Sequence, residues 1–430
     1  MKAEIISKTS DSICIQIKID FVRSMLQNEV RIEEALNEAG TLASGKALEY
    51  FDTEGDPIQI AGVKLTSKGR FPKEYHTPYG PKTIERHVYQ TSAGGEIYCP
   101  VDHDAHIIIT STPKLAQMIS YKYANHGAPQ VSADFEKCHG RKIPISFIQH
   151  LATMVGSVAQ AKEESWSYAT PFLDIPVKTI GVGMDGAHIL TCDDGWREAM
   201  TGTIALYDKA GERLHTTYIG AAPEYGKEKF LERMEREVTR INELYPRALK
   251  VGVADGAKTN WEFLSKHTDV QILDFYHTTE YLTKVADSAF AKSPCQREEW
   301  LDDACHRLKH EPKGAKTLLE EIKGFRERKV TKANQKDLES TITYFTNNLP
   351  KMNYWENLEK NLPIGSGVTE AACKVIIKER LCGSRMRWKE VGAATVIALR
   401  CLTRSDTRWE QFWQKIDRYG IPEVNECTLN

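Results

Sequence analysis

Residues 177–186, VKTIGVGMDG, and residues 249–256, LKVGVADG, decide how this chain is read. Ile180, Val182 and Met184 alternate with smaller or polar residues, as do Leu249, Val251 and Val253, and each run meets an Asp-Gly pair, Asp185-Gly186 or Asp255-Gly256. Strict alternation is the mark of a strand, and Asp-Gly is a strand-ending turn signal. Two strands ending in Asp are therefore expected.

Between them, Ala199 to Tyr207 and Leu214 to Ile219 are further strand candidates. Gly226 to Leu244 carries Phe230, Leu231, Met234, Val238 and Ile241 at helical spacing. A helix around Trp261, Phe263 and Leu264 precedes a short strand, Val270 to Leu273, which stops at Asp274. The order β-β-β-α-β-α-β-α predicts a mixed sheet flanked by helices. Ser288 to Asn361 interrupts it with a Lys- and Glu-rich stretch that has helical runs, Ala315 to Arg328 and Gln335 to Phe345, and no strand candidate. A helical insertion is the expectation there. After the turn PIGSG (363–367), a helix is predicted from Val368 to about Leu381, with Ser366 as a candidate N-cap, and a last one over Val391 to Leu402.

Upstream, Arg31 to Phe51 reads as a helix and Ile58 to Cys99 as a small β unit, with Thr83 to Tyr89 and Glu96 to Cys99 forming a hairpin about residues 92–95. Three helices follow, Pro113 to Asn125, Pro129 to Cys138 and Pro144 to Val158. The turn Cys138-His139-Gly140-Arg141-Lys142 suits a helix-turn-helix module that places its second helix in a DNA groove; a generic helical bundle fits the same pattern. The expected divisions are 1–110, an N-terminal α+β unit; 111–170, helical, a candidate DNA-binding region; 171–287, the first part of a mixed-sheet domain; 288–362, the insertion; and 363–430, the second part of that domain with the C-terminal helices.

A length of 430 residues supports two or three domains at about 150 residues each. The 41% hydrophobic and 27% charged content is that of a globular protein, and a net charge of −2 offers no overall field for nucleic acid or membrane, so any basic site must be local. No secretory leader and no apolar run of membrane-spanning length is visible, which points to a cytoplasmic address. The ten cysteines lack C-x2-C spacing and read as reduced thiols; Cys99, His103 and His106 lack a matching fourth ligand and read as loop residues.

Acids at the carboxyl ends of neighbouring strands face the crevice where α/β sheets bind ligands. Two carboxylates side by side repel, and a hard divalent cation offsets that cost. A pair of such ions serves in-line phosphodiester displacement, which calls for a third acid. Glu370 is the candidate. At α-helical spacing, Glu370, Lys374 and Lys378 share a stripe that suits a polyanion beside a metal; equally, Glu370 favours the positive helix end and the lysines form solvated pairs. Gly365 to Lys415 carries ten Lys or Arg against five Asp or Glu. Within it, Arg385, Arg387 and Lys389 bracket Met386 and Trp388, a pattern for phosphate contacts with a stacking aromatic, unless Trp388 is a core anchor and the charges a solvated face.

Asp185, Asp255 and the late Glu370 together resemble the catalytic residues of bacterial insertion-sequence DDE transposases. ILDFYH (272–277) is similar to the D-x2-H element of Mutator-like and related transposases with a helical insertion before the Glu. GSGVTEAACKVIIKERLCGSRMRWKEVGAATVIALRCL (365–402) is similar to a G-S-G-x-x-E-x-x-C-K … M-R-W … G-A … L-R block of one such family. TPYGPKTIERHVYQ and GGEIYCPVD, upstream, resemble that family's N-terminal β unit. The resemblance, strongest from Val177 to Leu402, implies a ribonuclease H-like fold, with Asp185, Asp255 and Glu370 holding Mg2+ or Mn2+, two ions in all. It puts Asp274 and His277 beside the site, His277 to relay a proton, contact a phosphate or simply pack. It implies double-stranded DNA, both transposon ends and target, as partner, cleavage followed by strand transfer of the 3′ hydroxyl, action at the nucleoid, and a homodimer or larger assembly on DNA. Lys374, Lys378, Arg385, Arg387, Trp388 and Lys389 become the candidate DNA contacts. Rival readings are a catalytically silent, transposase-derived DNA-binding protein, a ribonuclease H-like nuclease of other specificity, and a sugar-kinase-like phosphotransferase; the last needs a duplicated domain and phosphate-cradling Gly loops, which the sequence lacks.

Overall fold

A computed structural model describes residues 2–163, 165–224, 227–325 and 332–421. Gly226 and residues 326–328, where two expected helices were to begin and end, lie outside the described residues, as does Cys427. The chain is mixed α and β and divides into two compact units. One comprises residues up to Tyr168 with Ala394–Thr403 and those from Thr407 on; the other comprises Ala169–Ala393 with Arg404–Asp406.

The first unit opens with an antiparallel pair, β1 (Lys2–Lys8) and β2 (Ile13–Lys18), followed by α1 (Met25–Glu49). A four-stranded sheet in sequence order contains β3 (Ile58–Ile60), β4 (Val63–His76), β5 (Pro81–Thr91) and β6 (Gly94–Tyr98). The β5–β6 turn falls where expected, because Gly94 and Gly95 supply the positive φ it needs. After α2 (Pro100–Asp104) come α3 (Pro113–Asn125), α4 (Ala128–His139) and α5 (Ile145–Glu163). Ile119, Phe135, Ile148, Leu151 and Val155 are buried, and Gly140 ends α4 in the left-handed conformation.

The second unit holds a five-stranded sheet of β7 (Thr179–Leu190), β8 (Trp196–Tyr207), β9 (Arg213–Ala221), β10 (Leu249–Ala254) and β11 (Val270–Leu273), in spatial order β11-β10-β7-β8-β9. β7, β8 and β9 run antiparallel, whereas β10 runs parallel to β7 and β11 parallel to β10. The intervening helices are α6 (Glu228–Leu244) and α7 (Lys258–His267). They cover one face, where Ile180, Val182 and Met184 meet Phe230, Met234, Val238 and Leu264. On the other face Val251, Val253 and Ile272 pack under α8 (Phe275–Ala289), α9 (Pro294–His310), α10 (Gly314–Gly324), α11 (Lys332–Asn348) and α12 (Tyr354–Glu359). The insertion is helical, as expected, but it shares one core with the sheet.

β7 does not stop at Asp185. It stays paired with β8 through Leu190↔Trp196, while its parallel ladder with β10 ends at Gly183↔Val253. The Asp-Gly pair marks where one neighbour leaves, not where the strand ends.

The helix expected from Val368 to Leu381 is three pieces: α13 (Gly367–Cys373), a π-helical turn over Lys374–Lys378, and α14 (Glu379–Leu381). α15 (Glu390–Arg404) is longer than expected, and α16 (Arg408–Tyr419), which buries Trp409, Phe412, Trp413 and Ile416, was not expected. From Ala394 to Thr403, α15 belongs with α16 to the first unit. The reason is apolar burial: that stretch presents Val396, Ile397 and Leu399 to a core, and Arg400 is buried too, donating to the Ala124 carbonyl at 2.8 Å.

Candidate active site

The parallel register carries the site. With Val251 beside Gly181 and Val253 beside Gly183, Asp185 and Asp255 each follow two residues after the last pair, close enough that the charge of Asp255 acts on Asp185. In a parallel pair, residues in register point to the same face. Val251 and Val253 face the side covered by α8–α12, so both carboxylates belong to that side, at the point where β7 has β8 on one flank and the departing β10 on the other.

α13 reaches the same face because β7 is bare there. A Cβ at Gly183 would lie 2.1 Å from the Thr369 hydroxyl, a distance no real side chain tolerates. Glycine admits the helix, and Thr369 then shares a 2.7 Å hydrogen bond with Thr203 of β8. One turn further on, the buried Cys373 thiol comes up beside the Asp185 carboxylate.

Asp185 is half-buried and accepts the Gly186 N–H at 2.7 Å. Burial holds its carboxyl above the usual range, and the charge of Asp255 adds to this; Gly186, Cys373 and Lys378 pull the other way. Burial, with the Asp185 charge, pushes the Cys373 thiol up to about 12, so it remains a donor. Asp255 is exposed, and its carboxylate accepts the Ala257 N–H at 3.1 Å and the Asn260 amide at 3.5 Å. Asn260, 8% exposed, also donates to the Met184 carbonyl at 3.4 Å, tying the two acid-bearing strands together.

Asp274 and Glu370 are placed differently from the strand acids. Asp274, 0% exposed, caps α8 by accepting the His277 N–H, and its other oxygen takes the Ser366 N–H. A buried carboxylate thus pins the start of α13 to the end of β11, while the Asp274 N–H bonds the Ala254 carbonyl at 2.8 Å, next to Asp255. Glu370 is exposed, and its carboxylate accepts the Ser366 hydroxyl at 2.7 Å.

His277 lies in an aromatic group: its ring is 6.1 Å from Tyr344, Tyr344 stacks on Tyr281 at 3.8 Å, and the Tyr344 hydroxyl donates to the Asp255 carbonyl at 3.0 Å. Its Nδ1 is 3.3 Å from Glu280.

Lys374 and Lys378 are exposed, but the π turn advances each residue by less than an α-helix does, setting Lys378 off the line through Glu370 and Lys374. Arg385, Arg387 and Lys389 are exposed, Arg385 with φ of 62°. Trp388 is a structural clamp. Its indole donates to the Leu381 carbonyl at 3.0 Å, Arg380 covers its ring, and its backbone bridges Leu190 and Cys192 beside β7. Arg380, Arg400 and Arg408, counted in the local basic excess, are buried, so the cationic surface is smaller than the sequence suggests.

Sequence reasoning missed Asn260, Cys373 and the Tyr281–Tyr344 pair; Ser366, read as a candidate N-cap, stands at that position but gives its hydroxyl to Glu370. Only contact geometry assigns them roles, although Ser366 and Cys373 lie inside the quoted G-S-G-x-x-E-x-x-C-K block.

The strand acids suit a hard divalent cation, which would offset both the burial of Asp185 and its repulsion from Asp255. Among the described residues no three His, Cys, Asp or Glu side chains gather closely enough to hold one ion, and the Glu370 carboxylate is engaged by the Ser366 hydroxyl. No protein-family model and no curated protein matches this chain.

Proposed function

We propose that the chain is a DDE-type DNA transposase whose second unit is a ribonuclease H-like nuclease and strand-transfer domain. The observation that carries this reading is that Asp185 and Asp255 both follow closely on the paired Gly183 and Val253, interact electrostatically, and lie by the helix that bears Glu370. The sheet order β11-β10-β7-β8-β9, with one antiparallel meander and two parallel strands, supports the finer fold assignment.

Asp185, Asp255 and Glu370 would hold Mg2+ or Mn2+, the last by exchanging Ser366 for the ion. Bound in a pair, such ions activate the attacking oxygen and stabilise the leaving one. Water attacks phosphorus at the element end and frees a 3′ hydroxyl, which then attacks a target phosphodiester; no bond to protein forms. Lys374 and Lys378, both exposed although the π turn sets them on different lines, would meet phosphates, and Arg385, Arg387 and Lys389 would add to that surface. His277 contributes at the rim, against Tyr344. Double-stranded DNA is the partner, and pairing of two ends calls for a dimer or larger assembly. Among the described residues no helix is long and apolar enough to cross a membrane.

One observation favours a second reading, a DNA-binding protein without catalysis: Glu370 is engaged by Ser366 instead of the strand acids. Incubating the full chain with duplex carrying its element ends and Mg2+ or Mn2+ separates the two. The transposase reading expects nicking that Asp185→Ala, Asp255→Ala and Glu370→Ala each abolish. Nicking that persists at the wild-type rate in these variants refutes it, and binding without any nicking supports the alternative.

A further inference from the structure

A groove of about 700 Å³ opens beside Asp255, between α7 and α11. Gly256 lines it, as does Tyr344, whose hydroxyl donates to the Asp255 backbone carbonyl, so the groove begins next to Asp255 along the chain. The α11 wall presents Ser340, Thr343 and Asn347, all exposed and at helical spacing. That stripe is short, uncharged and rich in hydrogen-bonding groups, although the segment around it is crowded with Lys and Glu. Cations stand at the rims. Lys351 is held with its ammonium 5.0 Å from the centre of the Trp261 ring, and Lys258, extended into solvent, is 3.8 Å from Glu262, the one acid among the lining residues.

Hydroxyls and amides along the wall with an ammonium at each rim suit a sugar-phosphate backbone, and the volume is that of a small-ligand site. We propose that this groove holds the single DNA strand adjoining the scissile phosphodiester, gripping sugar and phosphate without reading the base. The proposal rests on the nuclease reading of Asp185 and Asp255, and its test is kept independent of that chemistry.

The probe is fluorescein-labelled dT12, titrated by anisotropy into the full chain in EDTA, with 5′-dTMP as competitor. Filling the groove at two exposed positions, Ser340→Leu with Asn347→Leu, is expected to weaken dT12 binding about tenfold with the melting temperature unchanged. Lys351→Ala is expected to reduce the slope of log affinity against log salt by about 0.7, the signature of one lost phosphate contact on a single strand. Wild-type dT12 affinity in the filled variant overturns the proposal. So does a loss confined to dTMP, which would make the groove a mononucleotide site. Because no metal is present, failure of the acid variants to lose nicking would remove the nuclease reading while leaving the binding result to stand or fall alone.

Discussion

The strand side and the helix side of the site are built on opposite plans. Asp185 and Asp255 owe their positions to backbone ladders: β7 is paired on both flanks up to Gly183, and Asp255 follows two residues after the last paired Val253. Glu370 sits on a seven-residue helix that runs into a π turn and is fixed by a few side-chain contacts, Thr369 to Thr203, Asp274 to Ser366 and Ser366 to Glu370 itself. Asp185 is held within the β7–β8 ladder and Asp255 just past the end of β10, whereas the helix-borne Glu370 rests on side-chain contacts that can be removed one at a time. That asymmetry fits an ion site completed by its third carboxylate only when loaded.

The largest effect should come from the strand side. If the proposed nuclease reading holds, Asp185→Asn or Asp255→Asn is expected to lower the nicking rate by about 10³-fold or more, because each would then remove a metal ligand. Ser366→Ala, which frees the Glu370 carboxylate, should change the rate by less than about tenfold. Equal losses from both would erase the contrast.

Next is the cradle. Gly183→Ala sets a methyl against Thr369 and should cost about 1–3 kcal/mol in a denaturant melt, while also reducing nicking by displacing α13. A fully stable but inactive variant would mean that the helix moves without strain. Asp274→Asn retains volume but replaces one acceptor with a donor facing an N–H, so a loss of about 1–3 kcal/mol is expected. Unchanged stability would show that α13 is not pinned there.

The smallest effect is one of pH. Burial and Asp255 raise the Asp185 carboxyl, so the folded chain retains a proton that the unfolded chain has released. Stability must therefore fall as pH rises from the ordinary aspartate range, about 4, through the raised value. In chelator at neutral pH, Asp185→Asn should melt above wild type, and the gap should close below about pH 4. A variant that melts lower at neutral pH would contradict the assigned burial and repulsion.

Much of this was legible because period-two alternation encodes strands directly. VKTIGVGMDG and LKVGVADG fix both strands and both acids, and the β5–β6 turn follows from two adjacent glycines. Other features depend on contacts that sequence spacing does not carry. Where β7 ends is set by its partner β8, not by Asp-Gly, and the π turn breaks a Glu370–Lys374–Lys378 stripe that assumed ideal α-helical spacing. Trp388 and the arginines 380, 400 and 408 look like a nucleic-acid surface until their buried partners are seen. The apolar spacing of Trp409, Phe412, Trp413 and Ile416, by contrast, carries the helical period that α16 buries.

Calorimetric titration of Mn2+ into the full chain tests the central claim most directly. Saturable binding in the wild type that is lost in Asp255→Asn and weakened in Glu370→Gln is the expected result. Identical isotherms for all three proteins would contradict it.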